Sequence, residues 1–280
     1  MDKSKNYLIT GGSGYLGQAL IKRLTEMGFL YLTVVGRNEG KLIELEQKYP
    51  FIQIITGDIS NPFVAQKSCK GMDGIFHLAA YKHVGLAEQN VSQCVLSNVS
   101  GTLNVLENTR ASLPDFCIGI STDKAAQVKG VYGATKMLQE RLFTEYEQVN
   151  SKTKYRTVRY GNVLYSTGSV LCKWKDKLQK GEEVVITDEN ATRFYWTVDQ
   201  AVDLIFKCLE EGKDSKPFHA PMKAIRMGDL LNAMIQKYGK SPVKVIGLQP
   251  GENLHEIIAE SGLDSSMAEK HTLEEILELI

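Results

Sequence analysis

Tyr132 and Lys136 lie four residues apart, in a segment whose apolar spacing predicts a helix from about Tyr132 onward. Residues four apart share one face of a helix, so the two side chains can touch. A lysine ammonium group beside a phenol stabilises the phenolate and lowers the tyrosine pKa from about 10 towards neutral, as a general base requires. An isolated pair of this kind is usually a surface contact, so its meaning depends on the fold around it.

Thr122, Asp123 and Lys124 place a hydroxyl, a carboxylate and an amine in a row after the apolar run 116–120, which predicts a buried strand. Catalytic groups collect where parallel strands end, so these side chains predict an active site together with Tyr132. An acid and a base side by side need opposed shifts, with the pKa of Asp123 raised and that of Lys124 lowered by a partly dry cleft. The alternative is a solvated pair in a turn.

A glycine-rich turn near the start of the chain precedes this segment. Residues 7–10 predict a strand, residues 18–27 predict an amphipathic helix, and Gly11, Gly14 and Gly17 lie between them. The spacing Gly-x-x-Gly-x-x-Gly between a strand and a helix is typical of dinucleotide binding. It allows a tight turn, a close approach of pyrophosphate to the backbone, and packing of the helix on the sheet, with phosphate at the helix N-terminus.

Arg37 follows the second predicted strand, residues 32–35, where an acidic residue would bind the ribose 2′-hydroxyl of NAD. An arginine there favours the 2′-phosphate of NADP through a charge-assisted contact, and Lys41 could add a second positive charge. We therefore predict NADP rather than NAD; the alternative is a solvated arginine at the start of a helix. Asp58 follows the third strand, where it either accepts from the adenine amino group or caps the next turn.

Strands that alternate with helices of this length predict an α/β fold, a Rossmann-type doubly wound parallel sheet with a smaller C-terminal substrate-binding lobe. We predict an NADP-binding Rossmann domain in residues 1–165, to which residues 196–219 return. Residues 166–195 and 220–280 then form the substrate-binding lobe. This lobe is expected to cover the carboxyl edge of the sheet, where a substrate would lie.

The composition is that of an ordinary globular protein. The chain has 33 acidic and 33 basic residues and no net charge, which indicates neither a nucleic-acid partner nor a membrane surface. Its five cysteines are far apart and form no Cys-x-x-Cys pair, so we predict no metal site and no disulfide framework. No signal peptide and no apolar run long enough to cross a bilayer is evident. We expect a soluble cytoplasmic protein.

The glycine turn, Asp58, Thr122 and the Tyr132 and Lys136 pair together resemble the extended short-chain dehydrogenase/reductases that act on nucleotide sugars. Further motifs narrow the resemblance to the inverting UDP-N-acetylglucosamine 4,6-dehydratases of the short soluble type, related to capsule and flagellin-sugar enzymes. These motifs are Ser121-Thr-Asp-Lys-Ala125, Tyr132-Gly-Ala-Thr-Lys136, Arg159-Tyr-Gly-Asn-Val163, Thr192-Arg-Phe194, Arg226-Met227 with Asp229-Leu230, and Pro250-Gly-Glu-Asn-Leu-His-Glu256. The resemblance covers residues 6 to about 258, although Gly85 and Asn253 stand where the family usually has proline and lysine.

The resemblance implies a lyase that carries out NADP-dependent 4,6-dehydration of UDP-N-acetylglucosamine with inversion at C5, a 5-epimerase activity. The product would be UDP-2-acetamido-2,6-dideoxy-L-arabino-hexos-4-ulose, for polysaccharide or glycan biosynthesis. Tyr132, activated by Lys136, would take the proton of the C4 hydroxyl that Thr122 orients, while hydride passes to a tightly bound NADP that is regenerated in each turnover. Lys124 would remove the C5 proton, and a protonated Asp123 would donate to the departing C6 hydroxyl.

Strand ends and the resemblance together indicate the residues that contact cofactor and substrate. The predicted cofactor-binding residues are Gly11, Ser13, Gly14, Tyr15, Leu16, Gly17, Arg37, Lys41, Asp58, Ile59, Ala79, Ala80, Lys82, Asn98, Tyr132 and Lys136. The predicted substrate-binding residues are Lys82, His83, Glu88, Asn162, Ser169, Thr187, Arg193, Arg226 and Glu252. Arg193 and Arg226 are spaced for no local ion pair, so one of them is expected to contact the UDP phosphates.

Two other functions stay open. A UDP-sugar C4 epimerase or 4-keto reductase on the same scaffold would use Tyr132, Lys136 and NADP but would not need Asp123 and Lys124. A non-catalytic NADP-binding protein would keep the fold, although the intact set of Thr122, Tyr132 and Lys136 argues against it. Relatives of this fold often pair through helices that flank the sheet, so we predict a homo-oligomer.

Overall fold

The apolar runs of the chain form twelve strands in the computed structural model, which describes residues 1–259, 262 and 264–280. The first strand shows why an apolar run forms a strand here: all four of its side chains are buried, as in a parallel strand covered on both faces. In chain order the strands are β1 (Tyr7–Thr10), β2 (Leu32–Gly36), β3 (Gln53–Thr56), β4 (Gly74–His77), β5 (Phe116–Thr122), β6 (Lys154–Tyr160), β7 (Asn162–Val163), β8 (Val184–Ile186), β9 (Thr192–Trp196), β10 (Pro217–Phe218), β11 (Ala224–Arg226) and β12 (Val243–Val245).

The α-helices begin where side chains can satisfy the free N–H groups of a first turn. Asn38 accepts from the backbone N–H of Lys41 at 3.0 Å, and Thr197 forms a reciprocal capping box with Gln200. In chain order the described helices are α1 (Tyr15–Glu26), α2 (Glu39–Lys48), α3 (Pro62–Cys69), α4 (Val84–Gln89), α5 (Val91–Val95), α6 (Gly101–Ser112), α7 (Val131–Val149), α8 (Val170–Lys180), α9 (Val198–Glu211), α10 (Met227–Tyr238) and α11 (Leu273–Leu279). None of these described helices combines the length and the apolarity that crossing a membrane requires.

Seven strands form one parallel sheet in the order β10-β6-β5-β4-β1-β2-β3. The direction of strand addition reverses between β1 and β4, so a crevice opens outside the carboxyl ends of these two strands. Apolar side chains of α1, α2 and α9 pack on one face of the sheet, and those of α3, α6 and α7 pack on the other. The predicted Rossmann-type doubly wound sheet is therefore confirmed.

The C-terminal lobe packs around a separate apolar cluster. It contains a three-stranded sheet, β11-β9-β7, and a parallel pair, β12-β8. Helices α8, α10 and α11 surround the cluster, which includes Leu171, Trp174, Leu230, Met234 and Ile276. The chain leaves the large sheet after β6 and returns to it with α9 and β10 before it re-enters the lobe. The residue limits of the two predicted domains stay a prediction.

Two boundaries near the glycine turn and the catalytic motif differ from those predicted. Strand β5 continues to Thr122 instead of ending at residue 120, because Ser121 and Thr122 pair with Arg159 and Tyr160 of β6. The hydroxyl of Thr122 is therefore held by the sheet itself. Helix α1 begins at Tyr15 instead of residue 18, since its N-cap residue is the second glycine of the turn.

Phe143 fixes α7 to the sheet and provides a test of this packing. Its ring is fully buried against Gly119 of β5, where an added Cβ would lie 2.6 Å from the ring. Phe143→Ala should lower the free energy of unfolding by roughly 3–5 kcal/mol, because it leaves a cavity in a packed core. Leu138→Ala, at a position of α7 that is 45% exposed, should change it by less than about 0.5 kcal/mol. Urea unfolding measures both, and equal losses would contradict the assigned packing face.

Candidate active site

A cavity of about 770 Å³ lies at the carboxyl ends of the central strands, where the C-terminal lobe covers the sheet edge. Its walls come from both parts of the molecule, because the glycine turn and Tyr132 face Trp174, Ile186 and Met227 of the lobe. Strand order accounts for this position, since the crevice between β1 and β4 is where ligands bind in sheets of this type. The cavity therefore brings together the groups that follow several different strands.

The glycine turn fits a dinucleotide. Gly11 has φ +68°, a left-handed conformation, and a Cβ there would lie 2.8 Å from the backbone of Ala79. A Cβ on Gly17 would lie 2.4 Å from the Cα of Gly12, so α1 packs directly on the turn. Among the described residues no side chain caps α1 at Gly14, and the first turn holds no acidic residue. The N–H groups and the positive end of the helix dipole are thus available to a pyrophosphate.

Arg37 and Lys41 place two positive charges beyond the end of β2, beside the cavity. The Arg37 side chain is 57% exposed, and its Nη1 lies 3.6 Å from Oδ2 of Asp58. Asp58 Oδ1 accepts from the backbone N–H of Ser60 at 2.9 Å, so the turn cap is the role of Asp58 that the structure shows. Among the described residues that line this end of the cavity, two cations face one carboxylate, which leaves a surplus of positive charge.

Asn98 does not line the cavity and instead braces its wall. The side chain is fully buried, with Oδ1 accepting from the N–H of Tyr81 at 2.6 Å and Nδ2 donating to the Tyr81 carbonyl at 2.9 Å. Nδ2 also donates to Thr135 Oγ1 of α7 at 3.0 Å. Asn98 thus holds the segment after β4 against α7, while Ala79 and Ala80 of that segment line the cavity.

Strand β5 and helix α7 bring Thr122, Lys124, Tyr132 and Lys136 to one wall of the cavity. A 3-10 turn, Asp123–Ala125, follows β5 and carries Lys124, whose backbone N–H donates to Thr122 Oγ1 at 3.5 Å. Helix α7 passes close to this turn because Gly133 has no side chain: a Cβ there would lie 2.4 Å from the carbonyl oxygen of Lys124. The close approach places the Tyr132 phenol next to Thr122 and Lys124.

The pKa of Tyr132 is raised to about 12, which is opposite to the predicted direction. Burial raises it, and the Lys124 ammonium and the Thr122 hydroxyl oppose that effect. Lys136 instead donates to Gln139 Oε1 at 2.5 Å, and burial lowers the pKa of Lys136 itself to about 8. The cation that favours the Tyr132 phenolate is therefore Lys124 and not, as predicted, Lys136.

Lys124 lies between two buried carboxylates. Its Nζ is 3.0 Å from Asp123 Oδ1 and 3.2 Å from Glu256 Oε1. The Asp123 side chain is completely buried behind the cavity wall, and its Oδ2 has no hydrogen-bond partner among the described residues. Arg193 Nε lies 3.8 Å from Glu256 Oε1, so two cations and two carboxylates form a balanced set.

Of the two pKa shifts predicted for the acid–base pair, the structure shows the one at Asp123 and not the one at Lys124. Burial raises the pKa of Asp123, Lys124 opposes this, and Glu256 adds to it. For Lys124, burial acts downward but the carboxylates of Asp123 and Glu256 outweigh it, so its pKa is raised. The predicted lowering of the Lys124 pKa is wrong, because the prediction did not include the second carboxylate.

Glu256 is a candidate functional residue that the sequence reasoning did not select. It lines the cavity, is 1% exposed, and has a lowered pKa, because Lys124 and Arg193 outweigh the effect of its burial. The available signal was its position as the last residue of the motif 250–256. Nothing in the spacing of that motif places it beside Lys124, which lies far away along the chain.

Most of the other predicted residues line the cavity, and four do not. Fifteen of the sixteen predicted cofactor-binding residues line it, the exception being Asn98, and among the predicted catalytic residues Asp123 lies behind the wall. The predicted substrate-binding residues that line it are Lys82, His83, Asn162, Ser169, Thr187, Arg193 and Glu252.

Glu88 and Arg226 have structural contacts in place of the predicted contacts with substrate. Glu88 accepts from the N–H of Val131 at 2.7 Å and caps the first turn of α7. Arg226 is exposed and forms a two-point ion pair with Asp229, with Nη2 2.6 Å from Oδ1. The expectation that Arg226 has no local ion pair is therefore wrong, because residues three apart at the start of α10 share one face.

Comparison with known proteins places the chain in a family. Residues 7–278 match the family described as polysaccharide biosynthesis protein, and the chain belongs to this family. A Methanocaldococcus jannaschii relative, named an uncharacterized membrane protein, is 36% identical over 91% of this chain and 80% of its own length. A Campylobacter jejuni relative named UDP-N-acetylglucosamine 4,6-dehydratase (inverting) is 32% identical over 93% of this chain and 79% of its own. A Rickettsia canadensis relative named UDP-glucose 4-epimerase is 29% identical over 92% of this chain and 78% of its own length.

Two solved structures share the fold of this chain. One described as Pen from Bacillus thuringiensis has a TM-score of 0.93 and 28% identity, and the match covers 99% of this chain and 96% of that one. A dTDP-glucose 4,6-dehydratase from Streptomyces venezuelae, solved with NAD, has a TM-score of 0.82 and 18% identity. The match covers 98% of this chain and 95% of that one, and at this identity it shows only that the fold is shared. The resemblance to inverting UDP-N-acetylglucosamine 4,6-dehydratases is confirmed by the relatives.

Lys136→Met should stabilise the fold while it removes a predicted catalytic group. The pKa of Lys136 is about 8 when folded and 10.5 as a reference value, so the unfolded chain binds more protons between these pH values. The stability of the parent protein therefore rises with pH across this window and is lowest below pH 8. At pH 7 the variant should gain roughly 1–3 kcal/mol of unfolding free energy, and the gain should shrink by pH 10.

Urea unfolding at the two pH values measures this effect. Arg141→Met, at an exposed position of the same helix, is the matched control and should show no comparable gain. A gain from Lys136→Met that is identical at pH 7 and pH 10 would contradict the assigned charge state.

Proposed function

We propose that the chain is a nucleotide-sugar 4,6-dehydratase, a hydro-lyase of polysaccharide biosynthesis. The observation that carries the proposal is the ion pair of Asp123 and Lys124, 3.0 Å apart, beside Tyr132 at one cavity wall. Oxidation of a sugar hydroxyl needs one base, such as Tyr132, whereas elimination of water needs a further base and an acid. The family match over residues 7–278 supports the same class.

The proposed substrate is UDP-N-acetylglucosamine. With inversion at C5, the product is UDP-2-acetamido-2,6-dideoxy-L-arabino-hexos-4-ulose. The name of the Campylobacter jejuni relative, 32% identical over 93% of the chain, supports this choice. Arg193 is the proposed contact for the UDP phosphates, because it lines the cavity and Arg226 does not. A cytoplasmic location and a homo-oligomeric assembly stay predictions.

We also propose a nicotinamide dinucleotide at the glycine turn, and NADP in preference to NAD. Gly11 and Gly17 support this, because a Cβ on either would collide with the protein backbone at Ala79 or Gly12, so the tight turn typical of dinucleotide binding requires glycine at both positions. Arg37 and Lys41 support a 2′-phosphate through charge-assisted contacts. When bound, this group would accept hydride from C4 of the sugar and return it to C6, so it leaves each turnover unchanged.

Tyr132 and Thr122 act on the C4 hydroxyl. The Thr122 hydroxyl orients it, and Tyr132 takes its proton. Tyr132 must ionise for this step, and the Lys124 ammonium beside it is the group that lowers its pKa against the effect of burial. Once Tyr132 has taken the proton its negative charge is gone, so Lys124 holds its own proton less strongly.

Asp123 and Lys124 then act in the elimination. Transfer of one proton from Lys124 Nζ to Asp123, across 3.0 Å, converts the ion pair into a neutral base and a neutral acid. Burial raises the pKa of Asp123 and so favours this proton position. Lys124 removes the C5 proton, which the C4 ketone acidifies. Because Asp123 lies behind the wall, its proton reaches the departing C6 hydroxyl through Thr122, whose Oγ1 is 2.9 Å from Asp123 Oδ1.

The protons balance over the cycle. Tyr132 takes one from the C4 hydroxyl and Lys124 takes one from C5. Asp123 supplies one to the leaving water, and solvent supplies one to C5. Tyr132 gives its proton to solvent in exchange, so it is ionised again for the next turnover. Delivery of the solvent proton to the opposite face of the sugar inverts C5, whereas delivery to the original face would retain its configuration.

A UDP-sugar C4 epimerase is the second candidate. The Rickettsia canadensis relative, 29% identical over 92% of the chain, favours it. An epimerase would use Thr122 and Tyr132 in the same way, with Lys124 lowering the pKa of Tyr132. It would leave Asp123 without a chemical role and would not need Lys124 as a base, so we rank it below the dehydratase.

The deciding experiment incubates the purified protein with UDP-N-acetylglucosamine in deuterated water and follows the reaction by proton NMR without added reductant. The expected result is a 4-keto-6-deoxy sugar with deuterium at C5 and L-arabino couplings. Couplings of the D-series would show that the protein is a dehydratase that does not invert C5. A C4 epimer as the only product would establish the second candidate, and failure to convert this or any other UDP-sugar would favour a non-catalytic NADP-binding protein.

Lys124→Ala separates the two catalytic candidates in the same assay. A dehydratase should lose elimination by about 10²–10⁴-fold, the usual contribution of a general base, on top of any loss in C4 oxidation. An epimerase would lose only the part of C4 oxidation that depends on the Lys124 ammonium lowering the Tyr132 pKa. Lys129→Ala is the matched control, because this lysine is exposed in the loop before α7. Equal activity of the two variants would contradict the role assigned to Lys124.

Arg37→Gln tests the choice of cofactor. Loss of a charge-assisted contact should weaken NADP binding by roughly 10- to 100-fold and leave NAD binding nearly unchanged. Isothermal titration of both dinucleotides measures the effect, with Lys48→Gln at an exposed position of α2 as the control. Equal losses for NADP and NAD would show that Arg37 does not recognise the 2′-phosphate.

A further inference from the structure

We propose that Glu256 is a positioning residue for the elimination: it holds Lys124 Nζ between two carboxylates and stabilises the ammonium group that forms when C5 gives up its proton. This inference rests on the proposed function, because it assigns Glu256 to the base of that same reaction. It gives a role to a residue of the C-terminal lobe. The residues proposed above to act on the sugar lie instead on β5, on the 3-10 turn after it and on α7.

The geometry around Nζ supports the inference. Glu256 Oε1 lies 3.2 Å from Nζ and Asp123 Oδ1 lies 3.0 Å from it, while Asn162 Oδ1 accepts at 3.5 Å. Glu256 is 1% exposed and the Lys124 side chain is 16% exposed, so little solvent screens the contact. An ion pair in such surroundings has a larger effect on proton affinity than a surface pair.

The backbone of Glu256 is anchored to the C-terminal lobe, which makes a positioning role possible. Its N–H donates to Ser265 Oγ at 2.9 Å, and Ser265 Oγ donates to the Thr192 carbonyl of β9 at 3.0 Å. Asn253 Nδ2 donates to Glu256 Oε2 at 3.1 Å and leaves Oε1 directed at Lys124. Ser265 thus holds the backbone of Glu256 and Asn253 orients its carboxylate, both from the lobe.

Glu256 and Asp123 have different tasks, although both contact Nζ. Asp123 has a raised pKa and an oxygen without a partner among the described residues, so it can take up the proton that Lys124 releases. Glu256 has a lowered pKa because Lys124 and Arg193 stabilise its charge, so it stays ionised while the proton moves. A fixed negative charge makes Lys124 the stronger base and lowers the fraction of Lys124 that is neutral.

The charged and titratable groups that face Lys124 come from every element packed around it. They are Asp123 from the 3-10 turn, Tyr132 from α7, Arg193 and Tyr195 from β9, and Glu256 from the C-terminal segment. Only Asp123 and Glu256 are carboxylates within ion-pair distance of Nζ among the described residues. Glu256→Gln therefore removes one of two local negative charges and leaves the others in place.

The first test measures the protonation of Lys124 directly and needs no turnover. The protein is labelled with a trace of acetic anhydride across a range of pH, and mass spectrometry measures acetylation of Lys124, which requires a neutral amine. Glu256→Gln should move the labelling midpoint to lower pH by about 1–3 pH units, the usual effect of one close charge. Glu189→Gln, at an exposed position of the same lobe, should leave the midpoint unchanged.

The second test separates the two halves of the reaction. The rate of exchange of the C5 proton with deuterated water is measured as a function of pH. In Glu256→Gln the plateau of this pH–rate profile should fall by roughly 10- to 100-fold, because the base is weaker. The rising part of the profile should move to lower pH for the same reason. Oxidation at C4, measured as the single-turnover rise in absorbance of reduced nicotinamide, should change by less than about 3-fold, since Tyr132 and Thr122 are intact.

Glu256→Asp keeps the charge at a greater distance and should give an intermediate labelling midpoint. This variant also decides the case in which Glu256→Gln does not fold. A midpoint that is unchanged in every folded variant overturns the inference, and so does an equal loss of C4 oxidation and C5 exchange. If the parent protein dehydrates no UDP-sugar, the proposed function fails, while the labelling result still reports whether Glu256 controls Lys124.

Discussion

The buried ion set around Lys124 is the interaction on which the arrangement of the two lobes depends. Asp123 belongs to the edge of the large sheet, whereas Glu256 and Arg193 belong to the C-terminal lobe. Removing one partner from such a set leaves a buried charge uncompensated, which typically costs about 3–5 kcal/mol. The lobe therefore has to cover the sheet edge in one particular position, in which two cations meet two carboxylates. Apolar packing alone would accept small displacements that this charge set does not.

Helix α7 transmits the order of the sheet to the reactive groups. Phe143 fixes one part of the helix in the core, and Gly133 lets the first turn approach the carbonyl of Lys124. Tyr132 is next to Gly133, and Lys136 lies between Gly133 and Phe143, so their positions follow from the packing of the helix as a whole. The burial that results is unfavourable for Lys136, whose pKa it lowers to about 8. The site thus retains a group that destabilises the fold, as functional sites commonly do.

The sequence predicted the scaffold better than the charge states. The glycine spacing and the alternation of strands with helices were sufficient for the sheet, because both patterns are local. The pKa of Lys124 was not predictable, since it depends on Glu256, a residue far away in the chain whose approach requires the whole lobe to be folded. Asn98 was predicted to bind the cofactor for a similar reason, since its contact with Tyr81 joins two separate segments. Arg226 is a different case, because Asp229 is only three residues away and the prediction did not take this local pair into account.

In the reaction that we propose, Lys124 meets two opposite electrostatic requirements within one cycle, and the order of the steps reconciles them. Its positive charge favours the Tyr132 phenolate in the first step, and its neutral amine is needed when C5 is deprotonated. Protonation of Tyr132 removes a negative charge beside Lys124, so the first step itself makes the second easier. Asp123 can then accept the proton while Glu256 keeps its charge. An epimerase never removes a proton from C5, so it has no need for a buried lysine whose charge depends on the preceding step. The pairing of Lys124 with two carboxylates therefore favours elimination over epimerisation.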